Sequence, residues 1–169
     1  MAAGSYTVVT VTDHVRLAID MRGTDAWLTD AEINGFIYEN ITATRGDFSF
    51  QLVTSATTGP SGVYKCFHGY SYGLYLWGPT MSVEADCIYV LNSKGAITVT
   101  SGTPTATAIT VTGAVVDFSA VMVQLLHWLA THRSKEISAS AGGGSINSQG
   151  IHAQLLEMAD YWTGIRQIA

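Results

Sequence analysis

The sequence predicts an α+β protein. The expected architecture is a helical bundle, of short N-terminal helices and a C-terminal helix pair, with a small antiparallel β-sheet inserted between them. Three observations predict it. Apolar residues recur at helical spacing towards both ends of the chain, β-branched residues crowd the stretch from Cys87 to Val116, and turn-forming residues separate the two patterns. The 169 residues suit a single domain, 1–169, with a β-rich insertion over roughly 47–116. A chain of this size buries about 70% of its unfolded surface, enough for one core.

Thr12 or Asp13 can cap a short helix through Val15, Leu17 and Ile19 that Gly23 ends. Thr29-Asp30-Ala31-Glu32 is a capping box, in which hydroxyl and carboxylate each accept from the other residue's backbone N–H. Behind it Ile33, Phe36, Ile37 and Ile41 form one apolar stripe. Phe48, Phe50 and Leu52 alternate like a short strand, and Gly59-Pro60-Ser61-Gly62 is a turn. Val63 to Trp77 is crowded with aromatics at no clear period, so it receives no assignment. Cys87–Leu91 and Ala96–Thr100 flank Asn92-Ser93-Lys94-Gly95 as a hairpin, and Ala108–Val116 adds a third strand after the Gly102-Thr103-Pro104 turn. Asp117 or Ser119 caps a helix with the stripe Met122, Leu125, Leu126 and Leu129. Residues 136–147, with Gly142-Gly143-Gly144, form the loop of an αα pair. The final helix starts at Ser148 and presents Ile151, Leu155, Met158, Trp162 and Ile165 as a narrow seam for its partner helix.

Charge is the anomaly in the composition. Only 12% of residues are charged, against about 25% in ordinary soluble domains. Plentiful aromatics favour a surface partly covered by neighbouring subunits over one that is merely neutral and polar. A net charge of −5 with scattered basic residues argues against nucleic-acid binding as the main task. No apolar run reaches membrane-spanning length and residues 1–20 lack a signal-peptide pattern, so synthesis in the cytoplasm and no membrane partner are expected. Cys66 and Cys87 read as buried, reduced thiols.

The chemistry of catalysis is not legible. His14, His68, His127, His132 and His152 fall in no metal-ligand spacing, and no nucleophile motif, phosphate loop or dinucleotide fingerprint occurs. Asp117 reads as a helix cap, and Glu157 with Asp160 as a solvated face. The expectation is a non-enzyme with no catalytic, cofactor-binding or metal residues and no cofactor.

Three segments resemble the head-tail connector (adaptor, head-completion) proteins of tailed bacteriophages. Asp13-His14-Val15-Arg16-Leu17, followed by Trp27-Leu28-Thr29-Asp30-Ala31-Glu32-Ile33, is similar to their opening of a short helix and a capped one. Tyr89 to Val99, leading into Ile109 to Asp117, resembles the β insertion before the penultimate helix in some of them. Val116-Asp117-Phe118-Ser119-Ala120, then Ile137-Ser138-Ala139-Ser140, a Gly-rich bend and Ser145-Ile146-Asn147-Ser148-Gln149, is similar to the closing pattern. The aromatic stretch 63–77 has no counterpart there, and the helices are thinly charged for the family.

The resemblance implies a virion neck subunit, made in the host cytoplasm. It would form a closed ring of about twelve copies between the portal protein and a tail-side neck protein, with DNA passing through the lumen unread. Seven acids against three arginines in residues 13–47 suit such a lumen, and suit equally the caps and solvated faces of two helices. The C-terminal Trp162, Ile165, Arg166 and Ile168 are the expected interface, since an apolar terminus left free is an aggregation liability. The alternatives are a stopper or decoration protein, or a carbohydrate-binding module using the aromatics of Tyr70 to Trp77.

Overall fold

Strands, not helices, dominate this protein, and the expected helical bundle with a small inserted sheet is corrected accordingly. The computed structural model describes residues 2–19, 28–54, 62–65, 74–133 and 148–168. Among them lie seven strands: β1 Ser5–Val9, β2 Ile41–Thr54, β3 Val63–Lys65, β4 Leu74–Met81, β5 Ile88–Asn92, β6 Ala96–Ser101 and β7 Ala108–Asp117. They form one mixed sheet in the order β1-β5-β6-β3-β2-β7-β4. The helices are α1 Val11–Ala18, α2 Asp30–Glu39, α3 Phe118–His132 and α4 Ser148–Ile168. By contact the chain forms two compact units. One holds residues 1–14 and 41–116, the other 15–40 and 117–169.

In the sheet unit the expected hairpin is present, but the expected third strand does not complete a three-stranded sheet. β1 pairs with β5 in parallel, Tyr6 opposite Tyr89 and Val8 opposite Leu91. β2 instead runs antiparallel to both β3 and β7. Ile41, expected on the α2 stripe, opens β2 opposite Val116. Alternation turns one face of the sheet into a core of Phe50, Tyr64, Leu76, Tyr89, Leu91, Ile97, Val99, Ile109 and Val111. Each fully buried aliphatic or aromatic side chain contributes about 1.5–3 kcal/mol.

The sheet curls because its two outer strands meet at one turn. Ser93 is fully buried. Its N–H and hydroxyl both donate to the Val9 carbonyl, at 3.0 and 2.7 Å, while its own carbonyl accepts from Leu76 N at 2.8 Å. Gly95, at φ 110°, closes the same turn with its N–H on the Asn92 carbonyl. Gly102 also sits where only glycine fits. Its φ is +83°, and a Cβ there would lie 2.4 Å from the Asp86 carbonyl oxygen.

In the helical unit the capping box forms as read. Thr29 Oγ1 accepts from Glu32 N at 3.2 Å, and Thr29 N donates to Glu32 Oε2 at 2.7 Å. Within the sheet unit, which holds the first half of α1, Thr10 rather than Thr12 or Asp13 precedes the first turn, and Asp13 reaches back to accept from Thr10 N and Oγ1. Asp117 is the cap of α3, accepting from Ala120 N at 3.0 Å. Helices α3 and α4 pack antiparallel: Phe118 meets Trp162 at one end (ring centroids 5.4 Å apart), and His152 Nδ1 contacts the Ala130 carbonyl at the other, 2.8 Å away. Ile151 and Ala159 are the buried α4 residues of this pair, whereas Met158, expected in the seam, is 36% exposed.

Candidate interaction surface

The C-terminal helix carries two apolar faces where one partner helix covers a single face. Ile151 and Ala159 face α3, with Leu155 half-buried between them. Around the helix, Gln154, Glu157, Met158, Tyr161 and Trp162 follow at i, i+3, i+4, i+7 and i+8, the geometry of one continuous stripe. With Ala18 from the last turn of α1 they line a groove of about 520 Å³. Tyr161 is 65% exposed and Leu17, beside Ala18 in sequence, 57%. Tyr38 on α2 is likewise exposed. Helices expose such residues singly without consequence, but an apolar groove with a polar rim is the usual form of a protein contact.

The groove's walls are firmly held. Arg16, on α1, donates from Nε to Asp30 Oδ1 at 2.9 Å and from Nη2 to the Leu28 carbonyl at 3.1 Å. Trp162 is wedged edge-on between Phe118 and Tyr161. On the far side of the unit Asn40 Nδ2 donates to Gln124 Oε1 at 2.8 Å, and Phe36 meets the Trp128 ring edge-on. Trp128 in turn stacks on His132 and lies under the Arg133 guanidinium.

The structure places two of the four expected interface residues. Trp162 is half-buried, sharing its ring between the helix pair and the groove, and Ile165 is half-buried one turn further on. Arg166 and Ile168 belong to α4, but their side chains lie outside those described. Sequence reading missed Leu17, Met158 and Tyr161 as surface: it placed Met158 in the α4 seam and named Leu17 only as part of the short first helix. One signal was available: Tyr161 and Trp162 are adjacent, and neighbours 100° apart on a helix cannot both face the same partner.

Of the acids in residues 13–47, Asp13, Asp30 and Glu32 are engaged by Thr10, Arg16 and Thr29. These caps and pairs account for them without a ligand. His14, in the sheet unit, is half-buried. Its Nε2 meets Asn92 Oδ1 at 2.9 Å and its ring packs edge-on against Tyr75. Burial holds its pKa below the ordinary value, and the nearby Lys94 adds to that. Among the described residues no three acidic, histidine or cysteine side chains cluster as a metal site. Cys66, His68, Tyr70 and Tyr72 lie outside the described residues, whereas Tyr75 is buried and Trp77 half-buried in the sheet unit. No family model, no curated protein and no solved structure is significantly similar to this chain.

Proposed function

We propose that this protein is a structural subunit of a tailed-phage neck, a ring component that joins the portal of the head to a tail-side neck protein. The observation that carries the reading is the helical unit's apolar groove, with Leu17, Met158 and Tyr161 exposed on a chain that is only 12% charged. Supporting it, two of the three segments that resemble the connector proteins contribute parts of that unit: the end of α1, the capped α2, and the α3–α4 pair that Asp117 opens. The curled sheet is then an elaboration larger than the inserted sheet of that resemblance. The neck reading makes the groove a contact for the portal or the adjoining copy, and lets DNA pass a surface that gives its phosphates few cations.

The experiment is reconstitution. Purified chain is mixed with portal-bearing, DNA-filled heads and imaged by electron microscopy. A rotationally symmetric collar at the portal vertex is the expected result. Heads that bind no chain at any concentration, or chain bound all over the shell, would refute the neck role, the latter in favour of a decoration protein.

A further inference from the structure

The corner where β1 runs into α1 is held against one turn of the sheet, and every contact lies within the sheet unit. Ser93, in the turn between β5 and β6, donates from N and Oγ to the Val9 carbonyl at 3.0 and 2.7 Å. Further along the corner His14 Nε2 meets Asn92 Oδ1 at 2.9 Å, and its ring rests edge-on against Tyr75 of β4, centroids 5.1 Å apart. Ser93 is fully buried and His14 half-buried, so the corner closes over its own polar contacts. The other end of β1 is anchored separately. There Asp86 N donates to the Ala2 carbonyl at 3.0 Å, and the Asp86 carboxylate accepts from Ala2 N at 2.6 Å.

These contacts fix which imidazole nitrogen is free. Lys94 N donates to Asn92 Oδ1 at 2.9 Å, which makes that atom an acceptor. His14 Nε2 therefore carries the hydrogen, and Nδ1 holds the lone pair of the neutral ring. A proton taken up at Nδ1 turns a half-buried neutral ring into a cation. Burial opposes that charge most, the hydrogen bond to Asn92 favours it, Lys94 opposes it and Asp13 favours it, with the balance against it. Asp13 is already engaged by Thr10 N and Oγ1, and burial keeps the Tyr75 phenol neutral. Among the described residues no other charged group acts on the ring.

We infer that this corner is a proton-operated latch: uptake of a proton by His14 lifts residues 9–14 off the turn at 92–95 while the rest of the sheet stays folded. β1 is the segment able to yield. Among the described strands it lies at the sheet edge, paired in parallel with β5 alone, and its Tyr6 and Val8 are only partly buried. Lifting the corner gives the imidazolium water and moves it away from Lys94. Nothing in the latch depends on the neck role.

Native-state amide exchange followed by NMR on the full chain tests the latch, each rate being divided by the intrinsic rate at its pH. From about pH 7.5 to 5.5, protection of Ser93 N should fall about three- to tenfold, because one proton gained on opening shifts the equilibrium at most about tenfold per pH unit. At the lower pH, urea well below the unfolding transition should leave Ser93 exchange unchanged, since a local opening exposes little surface. The comparison is Leu52 N, bonded to the Thr107 carbonyl within the sheet. His14→Gln keeps a donor for Asn92 but cannot titrate, and should abolish the fall at Ser93. A nitrogen-15 spectrum of the wild-type imidazole at neutral pH needs no variant, and should show hydrogen on Nε2 and none on Nδ1. Unchanged protection at Ser93, Ser93 exchange that rises with urea in step with Leu52, the same fall in His14→Gln, or hydrogen on Nδ1 of the neutral ring would each overturn the latch.

Discussion

Single residues in this chain do most where they satisfy a turn or cap, and two of them make stability depend on pH. His14 is held neutral, with its pKa lowered from the ordinary 6.5, chiefly by burial and then by Lys94, while Asn92 and Asp13 oppose the shift. In the unfolded chain the imidazole protonates near its ordinary value, so over the window below 6.5 the unfolded state binds more protons. Stability of the sheet unit should therefore fall as pH drops through that window. Glu32 acts in a lower one. Its pKa lies below the ordinary 4.5, first because Thr29 N donates to the carboxylate, so its contribution is lost as pH falls below that value. The two effects can be told apart by chemical denaturation at about pH 7.5 and 5.5. The wild type should lose more stability over that interval than His14→Gln, which keeps an amide to meet Asn92. Equal losses in the two proteins would mean that the ring is not selectively neutral. Thr29→Ala is a simpler case. It removes a half of the capping box and should cost about 1 kcal/mol at neutral pH.

At the scale of elements, legibility followed how local the determining interactions were. Helices α2, α3 and α4 were readable because caps and 3.6-residue stripes lie within a few residues of each other. The hairpin at Asn92–Gly95 was readable for the same reason. The rest of the sheet was not. β2 spans 14 residues, but register shifts near Ala43 and Gly46 break its alternation, and only Phe48 to Leu52 read as strand. β4 contains Gly78-Pro79, a turn signal by composition; Gly78 takes φ +57°, and proline is tolerated because β4 lies at the sheet edge. β1 pairs with a strand some eighty positions downstream, and no local pattern reports that. Periodicity likewise located the α3–α4 pair but not which of α4's two apolar faces it buries. Leu125 is fully buried in the helical unit, so Leu125→Ala should cost about 2–5 kcal/mol. Met158→Ala, on the open face, should stay within roughly 0.5 kcal/mol of wild type. Thermal and urea denaturation of the two variants decide the matter, and a large loss at Met158 would put that face in the core after all.

The whole molecule combines a net charge of −5 with an apolar groove on its helical unit, and the two pull association in opposite directions. Like-charged copies repel at long range, which keeps on-rates low and salt-dependent. A groove of about 520 Å³ offers short-range apolar contact that is modest for a single interface. The balance favours weak self-association when the chain is alone. Under the proposed neck role the arithmetic changes on a portal, because docked neighbours would meet at an effective concentration in the millimolar range instead of the bulk one. Rings should then close without any new contact. Light scattering over a concentration series should accordingly find monomers or weakly associated species at micromolar chain. The double variant Met158→Glu with Tyr161→Glu probes the groove directly. Both positions are exposed in the folded chain, at 36% and 65%, so its melting temperature should stay within a few degrees of wild type. Its joining to portal-bearing heads should be lost, since burying two new carboxylates in an apolar contact carries a desolvation penalty no partner offsets. Normal joining by this variant would remove the groove from the assembly. A stable ring of wild-type chain at micromolar concentration, without portal, would contradict the proposed order of assembly while supporting the proposed ring.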